Sequence, residues 1–222
     1  MLTTAAATAK IIADAGIERV FGLPGGEVLV LIDELRRAGV DFVLMRHESN
    51  AGIAAAVYGK LRGQPGVVLT TLGPGAANLM LPLSSAYLDQ EPLLAISAQL
   101  PDDFPASHTH QLLPLHETYR PLCKSVDKIT GQNVGEVVPR ALAECKRRPF
   151  GPAYLTLSAR EALKSAADAD QSGWGAPPSP PQPPSPPATS VPAGQLRPRS
   201  ARDRASELRE LLAKAKRPLV VV

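Results

Sequence analysis

From Thr4 to about Glu161, stretches with the apolar spacing of amphipathic helices alternate with short apolar runs. Ala9, Ile12 and Ala13 predict a first helix, capped by the hydroxyl of Thr3 or Thr4 and ended by Gly16. Residues 19–22 predict a strand that runs into Pro24-Gly25-Gly26. A helix is expected over 28–38, with Leu31, Ile32 and Leu35 on one face, and a strand over 41–45. The alanine-rich stretch 49–61 predicts a helix, and 66–71 is the clearest strand, ending in Gly73-Pro74-Gly75. A helix over 76–88 kinked at Pro82, a strand over 93–97, a helix over 134–147 and a strand over 153–157 complete the alternation. Such alternation predicts an α/β fold, an open parallel sheet with helices on both faces.

The pattern then breaks. Between Ala176 and Pro198 stand ten of the chain's 23 prolines, in runs that cannot build a packed core. This divides the chain into a domain over 1–165, a Pro-rich linker over 166–200, and residues 201–222. The linker reads as an extended spacer, with a ligand for a proline-reading module as the alternative. Residues 201–216 read as a charged helix, and Leu219-Val220-Val221-Val222 as a buried strand just beginning. A lone helix and strand have nothing to bury their apolar faces against, so a longer parent chain is expected.

The net charge of +3 is spread along the sequence and gives no nucleic-acid footprint. No apolar run is long enough to span a bilayer, and Met1 to Ala5 run into the first helix without the pattern expected of a leader. Cys123 and Cys145 lack the spacing of a disulfide framework or a zinc site, which suits a cytoplasmic, reducing setting with no nucleic acid, membrane or resident metal site.

Chemistry concentrates at three predicted strand ends: residues 21–26, Arg46-His47-Glu48, and 71–78. In an open parallel sheet these ends can line one crevice, where glycine lets backbone approach a ligand and proline stiffens the turn. Neither turn fits a nucleotide phosphate loop. Glu48 lies between an apolar strand and an almost apolar helix, where desolvation would favour a neutral, proton-relaying carboxyl. An acid complementing a helix N-terminus is the other reading of that position. His108, His110 and His116 do not share one helix face, and read as a polar active-site loop or as surface residues.

Five strings occur in order: Val20-Phe21-Gly22-x-Pro24-Gly25, Arg46-His47-Glu48, Gly63-x-Pro65-Gly66-Val67, Thr71-x-Gly73-Pro74-Gly75-x-x-Asn78, and Ala86-x-x-Asp89-x-x-Pro92-Leu93-Leu94. Together they resemble the pyrimidine-binding domain of the thiamine-diphosphate family that includes acetolactate synthase, pyruvate oxidase and benzaldehyde lyase. The resemblance implies that Glu48 hydrogen-bonds N1′ of the aminopyrimidine and favours the imino tautomer that activates thiazolium C2 toward a 2-oxo acid. It places Pro24, Gly25, Thr71, Gly73, Pro74, Gly75 and Asn78 around the cofactor, Gln111 and Lys124 in the substrate pocket, and Arg148 near a possible flavin (FAD).

The same resemblance implies that Mg2+ and the diphosphate are held by a third domain carrying a Gly-Asp-Gly motif, which this sequence lacks. It implies also a homodimer or higher homo-oligomer, with each site shared between subunits. The string His110-Gln111-Leu112 lacks the phenylalanine and the acid that acetolactate synthases place around the glutamine, so sister activities fit as well. Three roles follow as expectations: part of an acetolactate synthase-like enzyme, one chain of a split decarboxylase, or a non-catalytic module pairing with a full-length paralogue.

Overall fold

The computed structural model describes residues 2–105, 107 and 109–167. The expected Pro-rich linker from residue 168 onward and the helix and strand after it lie outside these residues, as does His108. The described elements are α1 (Thr4–Asp14), β1 (Arg19–Gly22), a 3-10 turn (Gly26–Val28), α2 (Leu29–Arg37), β2 (Asp41–Leu44), α3 (Glu48–Arg62) and β3 (Gly66–Thr70). They continue with α4 (Pro74–Ala77), α5 (Met80–Leu88), β4 (Leu93–Ala98), α6 (Leu115–Tyr119), β5 (Val126–Lys128), α7 (Val134–Lys146), β6 (Pro152–Leu157) and α8 (Ala159–Leu163).

The six strands form one all-parallel sheet in the order β2-β1-β3-β4-β6-β5. Central strands β3, β4 and β6 are buried along their whole length, whereas edge strands β2 and β5 are half exposed. A parallel sheet covered on both faces requires this. One face packs on α1, α2 and α7 through Ile12, Leu35, Leu69, Leu94 and Val138. The other packs on α3, α5 and α6 through Ala55, Val68, Leu83, Ala95 and Tyr119. The open parallel sheet with helices on both faces is therefore the architecture that the hydrophobic alternation predicts.

Thr3 caps α1, its hydroxyl accepting from the Ala6 amide at 3.1 Å. The last described residues return to this end: Ser165 bridges Thr3, and Ala166 N–H donates to the Leu2 carbonyl at 2.9 Å.

The expected helix over 76–88 is two helices. The break falls at Asn78-Leu79 and not at Pro82, which occupies the third position of α5, where its missing N–H leaves no intrahelical bond unmade. Three short elements, α6, β5 and α8, go beyond the sequence pattern.

Candidate functional site

The chain leaves β1 toward β2 and returns across the sheet to β3, so the strand order reverses between β1 and β3. Crevices form at such a switch point, at the carboxyl ends of the strands. The turns after β1 (23–26) and β3 (71–75) meet there, and the turn after β2 delivers Glu48 beside them.

Thr71 is the hub of the crevice. Its hydroxyl donates to Glu27 Oε2 at 2.6 Å. A Cβ added at Gly25 would stand 2.5 Å from Thr71 Oγ1, and one at Gly75 would stand 2.7 Å from Thr71 Cγ2. Both turns therefore close on the threonine only because Gly25 and Gly75 carry no side chain. Gly73 has φ 59 and ψ −121, the mirror image of extended backbone and a region that L side chains avoid.

Glu48 opens the fifteen-residue α3 and is half-buried. His47 caps the same helix end, its Nδ1 accepting from the Ser49 amide at 3.1 Å. Asn78 Nδ2 donates to Glu48 Oε2 at 2.8 Å, fixing the carboxylate plane. The other oxygen, Oε1, lies 3.3 Å from where a Gly75 side chain would begin. One oxygen is thus held by Asn78, and the other lies against Gly75.

Gln111 reaches this crevice from the loop between β4 and α6. It has φ 59, and a Cβ at Gly73 would lie 2.6 Å from Gln111 Cβ, so the two residues pack face to face. The expected residues Pro24, Gly25, Glu48, Thr71, Gly73, Pro74, Gly75, Asn78 and Gln111 thus share one end of the sheet.

Lys124 and Arg148 are not brought there. Lys124 precedes β5, its amide donates to the Pro152 carbonyl at the start of β6, and its ammonium donates to the carbonyls of Arg147 and Pro149. Arg148 precedes β6 and stacks on Phe150, 4.7 Å from the ring centroid. Both stand at the amino ends of the strands, opposite Glu48.

His116 lies in α6 and not in a loop, its Nε2 bonded to Thr156 Oγ1 at 2.8 Å. Burial first, then the nearby Lys128 ammonium, push its imidazole below the ordinary value of 6.5. Below pH 6.5 the unfolded chain takes up a proton that native His116 resists, so stability declines until the pH reaches the lowered native value. His116→Gln is expected to flatten the fall of melting temperature between pH 7 and 5, measured by thermal unfolding across that range.

A cleft of about 220 Å³ opens at the carboxyl ends of β4, β5 and β6, lined by Gln99, Lys128, Thr156 and Arg160 among others. Glu48 does not line it. The pattern of residues also missed Glu27, Ser49 and Tyr119, which act on the crevice through contacts 29 to 44 residues apart in sequence. No local signal marks them.

Among the described residues no three His, Cys, Asp or Glu side chains converge as a metal site, and no helix is long and apolar enough to cross a membrane.

Residues 2–116 match the family described as thiamine pyrophosphate enzyme, N-terminal TPP binding domain. The chain is similar to the acetolactate synthase of Bacillus subtilis, 33% identical over 144 residues covering 64% of this chain and 25% of the relative. It is 36% identical over 144 residues to the acetolactate synthase large subunit of Corynebacterium glutamicum, 64% of this chain and 22% of that protein. The catabolic acetolactate synthase of Raoultella terrigena is 29% identical over 143 residues, 64% of this chain and 26% of its own length. The chain spans about a quarter of the length of these relatives. With the glycine-lined crevice and its half-held glutamate at the switch point of a parallel sheet, the match over residues 2–116 means that this chain belongs to the thiamine pyrophosphate enzymes and carries their N-terminal TPP binding domain.

Proposed function

We propose that this chain supplies the pyrimidine-binding, proton-relay half of an active site in a thiamine-diphosphate enzyme acting on 2-oxo acids. The proposed reaction is acetolactate synthase-like: carboligation after decarboxylation of pyruvate. The observation that carries this reading is Glu48 at the carboxyl end of the sheet, with Oε2 held by Asn78 and Oε1 beside Gly75.

Bound thiamine diphosphate supplies a nucleophilic carbon and an electron sink for the loss of carbon dioxide. Glu48 would hold a proton at a ring nitrogen, with Asn78 keeping the carboxylate from turning away. Gly25 and Gly75 would let the ring lie against backbone, and Thr71 would fix the spacing of the two turns. Gln111 would meet the substrate side, whereas Lys124 is assigned to holding the 147–149 turn. Magnesium and the diphosphate would be held by groups outside the described residues. A flavin bound through Arg148 would lie at the far end of the sheet from Glu48.

A second protomer is part of the proposal. Ile53, Val57 and Leu61 form a stripe along α3, and Leu81 and Leu88 stand out from the adjoining α5, all five exposed. A stripe of this kind suits an interface, and it begins one turn beyond Glu48. Leu81→Glu with Leu88→Glu is expected to convert a sedimenting dimer to monomer; an unchanged sedimentation coefficient would count against this interface.

The cofactor reading is tested by titrating the chain with thiamine diphosphate and following the Asn78 side-chain amide by NMR. The amide is expected to shift, while the purified chain alone consumes no pyruvate. Shifts confined to the cleft around Gln99 and Arg160 would speak against the assignment, and pyruvate turnover by the chain alone would overturn its half-site character.

A further inference from the structure

We propose that Tyr119 is a positioning residue for Glu48, acting through the broken helix that carries Asn78. The proposal rests on the cofactor reading above for its functional meaning, and on the fold alone for its geometry.

Asn78, which donates to Glu48, stands at the interruption between α4 and α5. Pro82 lacks the N–H that would bond the Asn78 carbonyl four residues back. Ser49 Oγ donates to that carbonyl instead, at 2.7 Å. The ring of Pro82 sits against α3, where a Cβ at Gly52 would come within 2.5 Å of it. These contacts fix the start of α5.

The other side of the break is fixed by Tyr119. Its hydroxyl donates to the Ala76 carbonyl at 2.5 Å and approaches the Ala77 carbonyl at 3.4 Å. The Leu79 amide closes a tight three-residue bond to the same Ala76 carbonyl at 3.1 Å. Tyr119 is fully buried, and its ring lies 4.5 Å from that of Tyr154. A buried hydroxyl left without an acceptor is costly, so the phenol and α4 hold one another in place. Local pattern favours one continuous helix here, and the phenol opposes that pattern at the turn whose geometry aims Asn78. Tyr154, equally buried, spends its hydroxyl on Ser97 Oγ at 2.5 Å and has no hold on α4.

The test uses the full chain, with the Asn78 side-chain amide read by NMR. Tyr119→Phe keeps the ring and removes the donor. Its Asn78 resonance is expected to move in the same direction as in Glu48→Gln, with thiamine diphosphate affinity lowered about tenfold, the scale of one hydrogen bond. Tyr154→Phe is expected to leave the resonance in place. If Tyr119→Phe does not fold, 3-fluorotyrosine at 119, which keeps a stronger-donating hydroxyl, is expected to move the resonance the opposite way.

An unmoved Asn78 resonance in the folded Tyr119 variant, or an equal movement in Tyr154→Phe, would overturn the proposal. So would an unmoved resonance with 3-fluorotyrosine. An assembled enzyme whose turnover is unchanged by Glu48→Gln would sink the cofactor reading and still leave the Asn78 resonance to decide on Tyr119.

Discussion

Glu48→Gln is expected to lower thiamine-diphosphate-dependent turnover by about 10²–10⁴-fold, the range of a positioned proton-transfer group. The measurement belongs in an assembled enzyme, in which another chain or segment holds the diphosphate. Glutamine keeps the length of the side chain and can still accept from Asn78 Nδ2, so the 2.8 Å contact need not be lost. What it cannot do is carry a negative charge at Oε1 or take a proton there. Melting temperature should therefore hold while turnover falls, and KM for the 2-oxo acid should change much less than kcat. A variant that loses stability and turnover together would mean that Glu48 serves chiefly to hold the N-terminus of α3.

The second large effect falls on stability. Gly73 combines φ 59 with ψ −121, and a Cβ there would sit 2.6 Å from Gln111 Cβ and 3.0 Å from its Cα. Gly73→Ala should cost about 2–5 kcal/mol, summing backbone strain with overpacking. For a domain of this size that is roughly 5–20 °C in melting temperature, read by thermal unfolding. Because the obstacle is the Gln111 loop, relief should come from pushing that loop off the crevice. Added Gln111→Gly is expected to recover part of the lost stability. Full independence of the two substitutions would remove Gln111 from the account.

The layout of the crevice was legible because each of its turns follows a strand that the apolar pattern marks. Residues 19–22, 41–45 and 66–71 all read as strands, so the sequence alone places the Pro-Gly turns and Glu48 at carboxyl ends. Lys124 went astray for the complementary reason. It precedes β5, a three-residue edge strand, Val126-Asp127-Lys128, with no apolar run to announce it. Without that strand, chain order could not say which end of the sheet Lys124 occupies.

Other features were hidden by distance or by brevity. The break at Asn78 depends on Ser49 and Tyr119, 29 and 43 residues away for the groups they bond, and helical spacing carries no trace of either. The five-residue α6 is too short to show a period. The Gln111 backbone, at positive φ without being glycine, is imposed by the fold. One signal was present: Ser158-Ala159-Arg160-Glu161 has the spacing of a helix cap, and Ser158 Oγ accepts from the Glu161 amide at 3.1 Å at the start of α8.

In the proposed site, Glu48 Oε1 meets a pyrimidine ring nitrogen. Thiamine diphosphate labelled with nitrogen-15 at N1′, titrated into the wild-type chain and into Glu48→Gln, tests it most directly by NMR. The N1′ resonance is expected to be displaced toward its protonated position with the wild-type chain, and to stay at its free position with Glu48→Gln. The same N1′ shift with both chains would contradict it.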